Sequence, residues 1–162
     1  MSPAAEDLAR RLTVAGLTVA AAESLTGGRV AAALTRQPGS STYFLGSVVA
    51  YANEVKTNLL DVPTGLLSEH GAVSEACARA MAEGARRRLG ADLAVAATGI
   101  AGPDGGSPAK PVGLVWLAVA GDKGVRTAEY RFAGDRRAVT EAATIEALKF
   151  LARAVDLKAG II

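Results

Sequence analysis

Histidine and cysteine are almost missing from this chain: each occurs once, as His70 and Cys77. A lone cysteine cannot close an internal disulfide. Ser-His-Asp and Cys-His triads and ordinary zinc sites draw on more of these residues than the chain holds, or need His70 in the one right place. No metal site is therefore expected. Aromatic residues are scarce as well, 4% of the composition against 50% hydrophobic residues in all. The core must then rest on Ala, Val and Leu in close helix–sheet layers, not on a wide aromatic-lined cavity. No basic stretch leading into an apolar run opens the sequence, and no run of about 18 apolar residues occurs. Neither a signal peptide nor a membrane span is expected, and the expected location is cytoplasmic. An excess of one charge is also lacking, since 18 Lys and Arg against 16 Asp and Glu leave a net charge of +2. Interspersed charges of this kind argue against nucleic acid as a partner, because duplex binding rests on a concentrated basic patch.

The 162 residues suit one domain, 1–162, with a single substantial core, as domains commonly run about 100–150 residues. Apolar periodicity maps its elements. Ala5, Leu8, Leu12 and Ala15 predict an amphipathic helix over 4–15, ended by Gly16. Leu17 to Ala22 reads as a buried strand. Gly27 and Gly28 open a helix to about Arg36, stopped by Pro38-Gly39. Phe44 to Tyr51 fits a second strand, and short helices follow at Asn53–Leu60 and Thr64–Glu69. Ser74 caps a long helix with an inner stripe of Ala78, Met81, Ala82, Ala85 and Leu89. Its end carries Arg86-Arg87-Arg88, read as a solvated helix terminus favoured by the dipole. Leu93 to Ala97 is a third strand, and a Gly- and Pro-rich loop covers 99–111. Val112–Ala120 and Val125–Phe132 form a hairpin about Gly121-Asp122-Lys123-Gly124. The last helix presents Ala138, Ala142, Ile145, Leu148, Ala152 and Val155 on one face. This order predicts an α/β fold, a layered α/β/α sandwich whose late hairpin makes the sheet mixed.

Three segments could carry chemistry. Glu23-Ser24-Leu25-Thr26-Gly27-Gly28 lies where a buried strand passes into a helix, the place where ligands bind in open α/β sheets. Ser24 can project from that turn, helix-opening N–H groups can hold an oxyanion, and the glycines admit substrate close to the backbone. The alternative role is capping by Ser24 or Thr26. With histidine nearly absent, the base for a serine could be Lys56, in the first turn of a helix capped by Asn53. The dipole there lowers the lysine pKa. Moving it from about 10.4 to a useful 7–8 costs roughly 4 kcal/mol, which needs burial or a nearby arginine in addition. The alternative is a solvated surface lysine. The third segment, Thr98-Gly99-Ile100-Ala101-Gly102-Pro103-Asp104-Gly105-Gly106, offers N–H groups suited to phosphate or carboxylate. It has neither the P-loop ending nor the Rossmann glycine pattern, and a plain connecting loop is the alternative.

Other features weigh less. Ser107-Pro108-Ala109-Lys110 matches an S-x-x-K pattern, but Pro111 forbids the helix this motif needs, and S-D-N and K-T-G are missing. Asp135 reads as the N-cap of the last helix, beside Arg136 or Arg137 as a phosphate fork or as ordinary first-turn arginines. His70 is read as structural and Cys77 as core or boundary.

Taken together, several segments resemble the CinA C-terminal domain family. They are Ala21–Gly28, Val49–Lys56, His70–Glu75, Thr98–Gly106, Lys110–Gly113 and Phe132–Arg136, in order over nearly the whole chain. Ser47 departs from the family pattern. This is the nicotinamide mononucleotide deamidase family, linked by name to competence and DNA damage. The resemblance implies hydrolysis of nicotinamide mononucleotide to nicotinate mononucleotide and ammonia with no cofactor. Ser24 would be the nucleophile and Lys56 its base, with Tyr51 relaying the proton or orienting the lysine. Thr26, Gly27 and Gly28 would hold the oxyanion, and Thr98, Gly102, Gly105, Gly106 and Arg136 would bind substrate. The larger family members carry a further N-terminal domain resembling molybdopterin-binding proteins, so a stand-alone form is expected. The expected partners are the small-molecule substrate and copies of the chain in a homo-oligomer, with no membrane. A protein-interaction module or a non-cleaving pyridine-nucleotide sensor is the alternative.

Overall fold

The computed structural model describes residues 3–160. In chain order the elements are α1 (Pro3–Ala15), β1 (Val19–Glu23), α2 (Arg29–Thr35), a short 3-10 turn (Ser40–Thr42), β2 (Phe44–Val49), α3 (Asn53–Leu60) and α4 (Thr64–His70). Then come α5 (Glu75–Leu89), β3 (Leu93–Gly99), β4 (Leu114–Gly121), β5 (Gly124–Arg131) and α6 (Arg136–Ala159). The strands form one sheet in the order β2-β1-β3-β4-β5. β1 runs parallel to β2 and β3, while β3–β4 and β4–β5 are antiparallel. The sheet is therefore mixed, as the hairpin predicts. The reversal falls beside β3, next to the ends of β1 and β3 where the glycine-rich segments begin.

Strand alternation sorts the core into two unlike faces. Val19 and Ala21, Leu93 and Val95, and Val115, Leu117 and Val119 point towards α1, α2 and α6. Ala20 and Ala22, Ala94 and Ala96, and Ala118 and Ala120 point the other way, towards α3 and α5. An alanine-paved face lets a helix lie close. α5 meets it with its own small residues, Cys77, Ala78, Ala82 and Ala85, around Met81. At Gly84 a Cβ atom would stand 2.0 Å from the Leu60 carbonyl oxygen. Only glycine lets α5 approach the end of α3 this closely. Ser74 caps α5 by accepting from the Cys77 N–H, and Asp135 caps α6 through the Ala138 N–H; both caps stand in the sequence.

Three expectations change. The buried stripe of α6 runs through Val139, Ala143, Ala147, Leu148, Leu151 and Val155, and Ile145 is exposed. Ala138 and Ala142 also lie off the stripe, so its first half is rotated from the predicted one. Small apolar residues surround this helix, so periodicity alone does not fix its inward face. At α3 the N-cap is Ala52, with no side-chain cap bond, and Asn53 is the first helical residue. Arg87 and Arg88 are ion-paired with Asp61 at the end of α3, so the arginine run is tied down and not merely solvated. Among the described residues no helix is long and apolar enough to cross a membrane.

Candidate active site

β1 ends at Glu23 and the chain turns through Ser24 to Gly28 before α2 begins. Three parts hold that turn. The Ser24 N–H donates to the Ala97 carbonyl of β3 (2.9 Å), the Gly27 N–H closes onto the Ser24 carbonyl (3.1 Å), and the Arg29 N–H onto that of Thr26 (3.0 Å). The Glu23 side chain, only 1% exposed, holds it as well. Its carboxylate accepts from Thr26 Oγ1 (2.8 Å), from the N–H groups of Gly28 (3.0 Å), Val30 (3.0 Å) and Ala31 (2.9 Å), and from Ser47 Oγ (3.2 Å). Glu23 thus takes the free donors at the start of α2, which a helix otherwise leaves unsatisfied, and pins the turn to β2. Ser47 contributes to that pinning. Sequence reading passed over Glu23 as a functional residue. The signal was an acid at the end of a wholly apolar strand, where burial demands partners.

This network redistributes the expected oxyanion donors. The Gly28 N–H is taken by Glu23 and the Gly27 N–H by Ser24. The N–H groups of Leu25 and Thr26 take no part in the turn's hydrogen bonds. The Thr26 hydroxyl faces Glu23, not the cleft.

Lys56 reaches the same turn from α3. Its side chain is 1% exposed, and its Nζ lies 3.2 Å from Ser24 Oγ, 2.9 Å from the Ala50 carbonyl oxygen and 3.0 Å from that of Tyr51. No carboxylate pairs with it among the described residues. Burial pushes the amine below the ordinary lysine value, with the Cys77 thiol a smaller influence in the other direction. Desolvation, which the segment's sequence does not reveal, is the main cause of that lowering. Cys77 is buried on α5 and its thiol is pushed up to about 11, which keeps it protonated and unreactive at neutral pH.

Ser24 and Lys56 open into a cleft of about 270 Å³, lined also by Leu25, Tyr51, Asn53, Thr98, Gly102, Asp104, Gly105 and Arg136. Thr98 is buried, its hydroxyl donating to the Ala72 carbonyl (2.8 Å) and so tying β3 to the loop between α4 and α5. Gly106 does not line the cleft; a Cβ there would stand 2.8 Å from the Val112 nitrogen, so its smallness serves packing within the loop. Tyr51 is exposed and accepts from Arg136 through its hydroxyl (2.7 Å), while Arg136 also donates to the Gly102 carbonyl (2.9 Å). The Tyr51 carbonyl, not its phenol, meets Lys56. His70 does not line this cleft. Lys110 donates to the His70 carbonyl and lies in no helix, which disposes of the S-x-x-K match. Among the described residues no group of three or more His, Cys, Asp or Glu could hold a metal ion.

A five-stranded mixed sheet between helical layers, with a buried lysine amine against a serine at the end of its central parallel strand, defines a layered α/β domain of one kind. The CinA C-terminal domain model matches residues 1–155, and the chain belongs to that family. A CinA-like protein of Geobacter sulfurreducens is 55% identical over 146 residues, covering 90% of this chain. One of Synechococcus sp. strain RCC307 is 62% identical over 120 residues, covering 74%. The chain spans about a third of the length of these curated relatives, 35% and 28%. Among solved structures, the competence/damage inducible protein CihA from Agrobacterium tumefaciens is 44% identical with a TM-score of 0.90, covering 96% of this chain and 98% of that one. A competence-damaged protein (CinA) superfamily protein from Klebsiella pneumoniae is 38% identical with a TM-score of 0.90, covering 94% and 95%.

Proposed function

We propose that this domain hydrolyses the carboxamide of nicotinamide mononucleotide, with Ser24 as nucleophile and Lys56 as its base. The substrate is the one the family resemblance implies. The observation that carries the chemistry is the buried Lys56 amine, without a carboxylate partner among the described residues, 3.2 Å from Ser24 Oγ. A neutral amine has two N–H bonds and one lone pair. The carbonyls of Ala50 and Tyr51 take the two N–H bonds, and the lone pair then faces the Ser24 hydroxyl.

Ser24 Oγ attacks the amide carbon as its proton passes to Lys56 Nζ. The carbonyl π bond opens to an oxyanion, for which the N–H group of the cleft-lining Leu25 is the free donor, since those of Gly27 and Gly28 are engaged. The intermediate collapses with cleavage of the C–N bond, and the Lys56 ammonium protonates the departing nitrogen to give ammonia. Lys56, neutral again, takes a proton from water as that water attacks the ester. Collapse of the second intermediate returns the proton to Ser24 Oγ and releases nicotinate mononucleotide. Each proton moves through one amine, which suits a chain with so little histidine.

The test is ammonia release from a panel of nicotinamide mononucleotide, nicotinamide riboside, nicotinamide and the dinucleotide. Turnover of the mononucleotide, lost in Ser24→Ala, supports the reading. Binding without turnover would make the domain a sensor. Neither binding nor turnover would leave an interaction module.

A further inference from the structure

Beside the reactive cleft lies a larger cavity of about 840 Å³, to which Arg29, Arg136 and Arg137 all contribute. Their surroundings differ. Arg137 is ion-paired with Glu141 and its side chain is 85% exposed. Arg29 and Arg136 have no carboxylate partner among the described residues. Arg29 donates one N–H to the Thr26 carbonyl (3.0 Å), which fastens its guanidinium to the turn that carries Ser24. Arg136 donates to the Gly102 carbonyl and the Tyr51 hydroxyl. Each guanidinium keeps further donors unused. The acid that lines this cavity, Asp135, has its carboxylate on the N-terminus of α6.

Two planar guanidinium forks that line one cavity, neither paired with a carboxylate among the described residues, fit a doubly charged tetrahedral oxyanion. The cavity also shares Leu25, Tyr51, Ala101 and Arg136 with the Ser24 cleft. A single elongated ligand can therefore lie across both, with Arg136 at the seam. The glycine-rich loop is the poorer phosphate cradle. It turns the Gly102 carbonyl towards Arg136 and places Asp104, an acid, on the reactive cleft.

We propose that Arg29 and Arg136 form a phosphomonoester subsite in the larger cavity, and that Arg29 sets the preference for a nucleotide over its nucleoside. The assignment of the phosphate to the amide-bearing ligand rests on the amidase reading above; the anion subsite itself does not.

Two measurements test it. The first compares kcat/KM for nicotinamide mononucleotide and its riboside in the wild type, Arg29→Ala and Arg29→Lys. The ratio of nucleotide to riboside should fall roughly 10- to 100-fold in Arg29→Ala, chiefly through KM, the size expected for losing a hydrogen bond between charged partners. Arg29→Lys keeps the charge without the fork and should fall between. A purely structural role would lower both substrates together and leave the ratio alone, and that result overturns the proposal. The second is calorimetric titration of orthophosphate, and of the mononucleotide, into Ser24→Ala with and without Arg29→Ala. Weaker binding of both ligands without Arg29 upholds the subsite even if the wild type releases no ammonia, which separates its fate from that of the amidase reading. Equal affinities in the two backgrounds overturn it.

Discussion

Lys56 Nζ stands 3.2 Å from Ser24 Oγ, and the two side chains are 1% and 8% exposed. They come from different halves of one sheet edge: Ser24 follows β1, and Lys56 sits on the helix after β2. The parallel pairing of these strands, with Glu23 opposite Val49, brings the two loops side by side. Topology does here what sequence proximity cannot.

The pair should behave as one unit. Ser24→Ala and Lys56→Ala should each lower kcat by roughly a thousandfold or more, and the double variant should be little worse than either. Lys56→Arg should not restore turnover, since a guanidinium stays protonated and cannot take the serine proton. Losses that multiply in the double variant would show that Lys56 works apart from Ser24.

Because burial holds the Lys56 amine below its ordinary value, kcat/KM should rise with pH through an apparent pKa lower than that of free lysine. Stability carries the same signature. The folded-state pKa is depressed, so between it and the unfolded value near 10.5 the unfolded chain binds the extra proton. Stability therefore rises with pH across that window, and the burial penalty is fully present below it. Measured against Lys56→Met, the wild-type Tm should gain as pH is raised towards 10. A difference in Tm that does not change with pH would mean that Lys56 titrates as an ordinary surface amine.

Glu23 touches no reacting atom and acts through the turn it holds. Glu23→Gln keeps the shape but turns an amide N–H₂ towards a ring of donors, and should cost about 1–3 kcal/mol in chemical denaturation. Its kcat should fall at every pH by a similar factor, because the base is untouched. A shifted pH profile in Glu23→Gln would instead couple it to the proton transfer.

The neighbouring Cys77 and the exposed His70 are not needed as nucleophile or base. The thiol, raised to about 11 by burial, should resist iodoacetamide at pH 7, and Cys77→Ser should keep turnover within about tenfold despite its place beside Lys56. His70→Ala should do the same. Abolished activity in a folded sample of either variant would move the chemistry elsewhere.

Much of this fold was legible because its signals are local. Ser74 and Asp135 announce their helices three residues ahead of the N–H they cap, and the β4–β5 hairpin follows from a glycine-flanked Asp122-Lys123. The face of α6 was not legible, since alanines all round leave the choice to tertiary packing. Ser24 and Lys56 could be named from their segments, but not the burial that depresses the amine, which α5 and the alanine face of the sheet provide. Glu23 escaped notice for a related reason. Its partners are backbone N–H groups, which every residue has, and no side-chain pattern marks them.

Tyr51 divides its two roles between backbone and side chain, and that division can be tested. Its carbonyl accepts from Lys56 (3.0 Å), which any residue at 51 can do, while its hydroxyl accepts from Arg136 (2.7 Å). Tyr51→Phe therefore removes a prop of Arg136 and leaves the lysine's own contacts in place. Since the hydroxyl and the guanidinium act through one hydrogen bond, the losses in kcat/KM for Tyr51→Phe and Arg136→Ala should not add. The double variant should fall short of the product of the single effects, with a coupling of about 1 kcal/mol or more. The loss in Tyr51→Phe should lie in KM, because Arg136 lines both cavities that the proposed ligand would span. If kcat instead falls as far as in Lys56→Ala, independently of Arg136, the phenol takes part in the proton transfer itself and the carbonyl is not its main service.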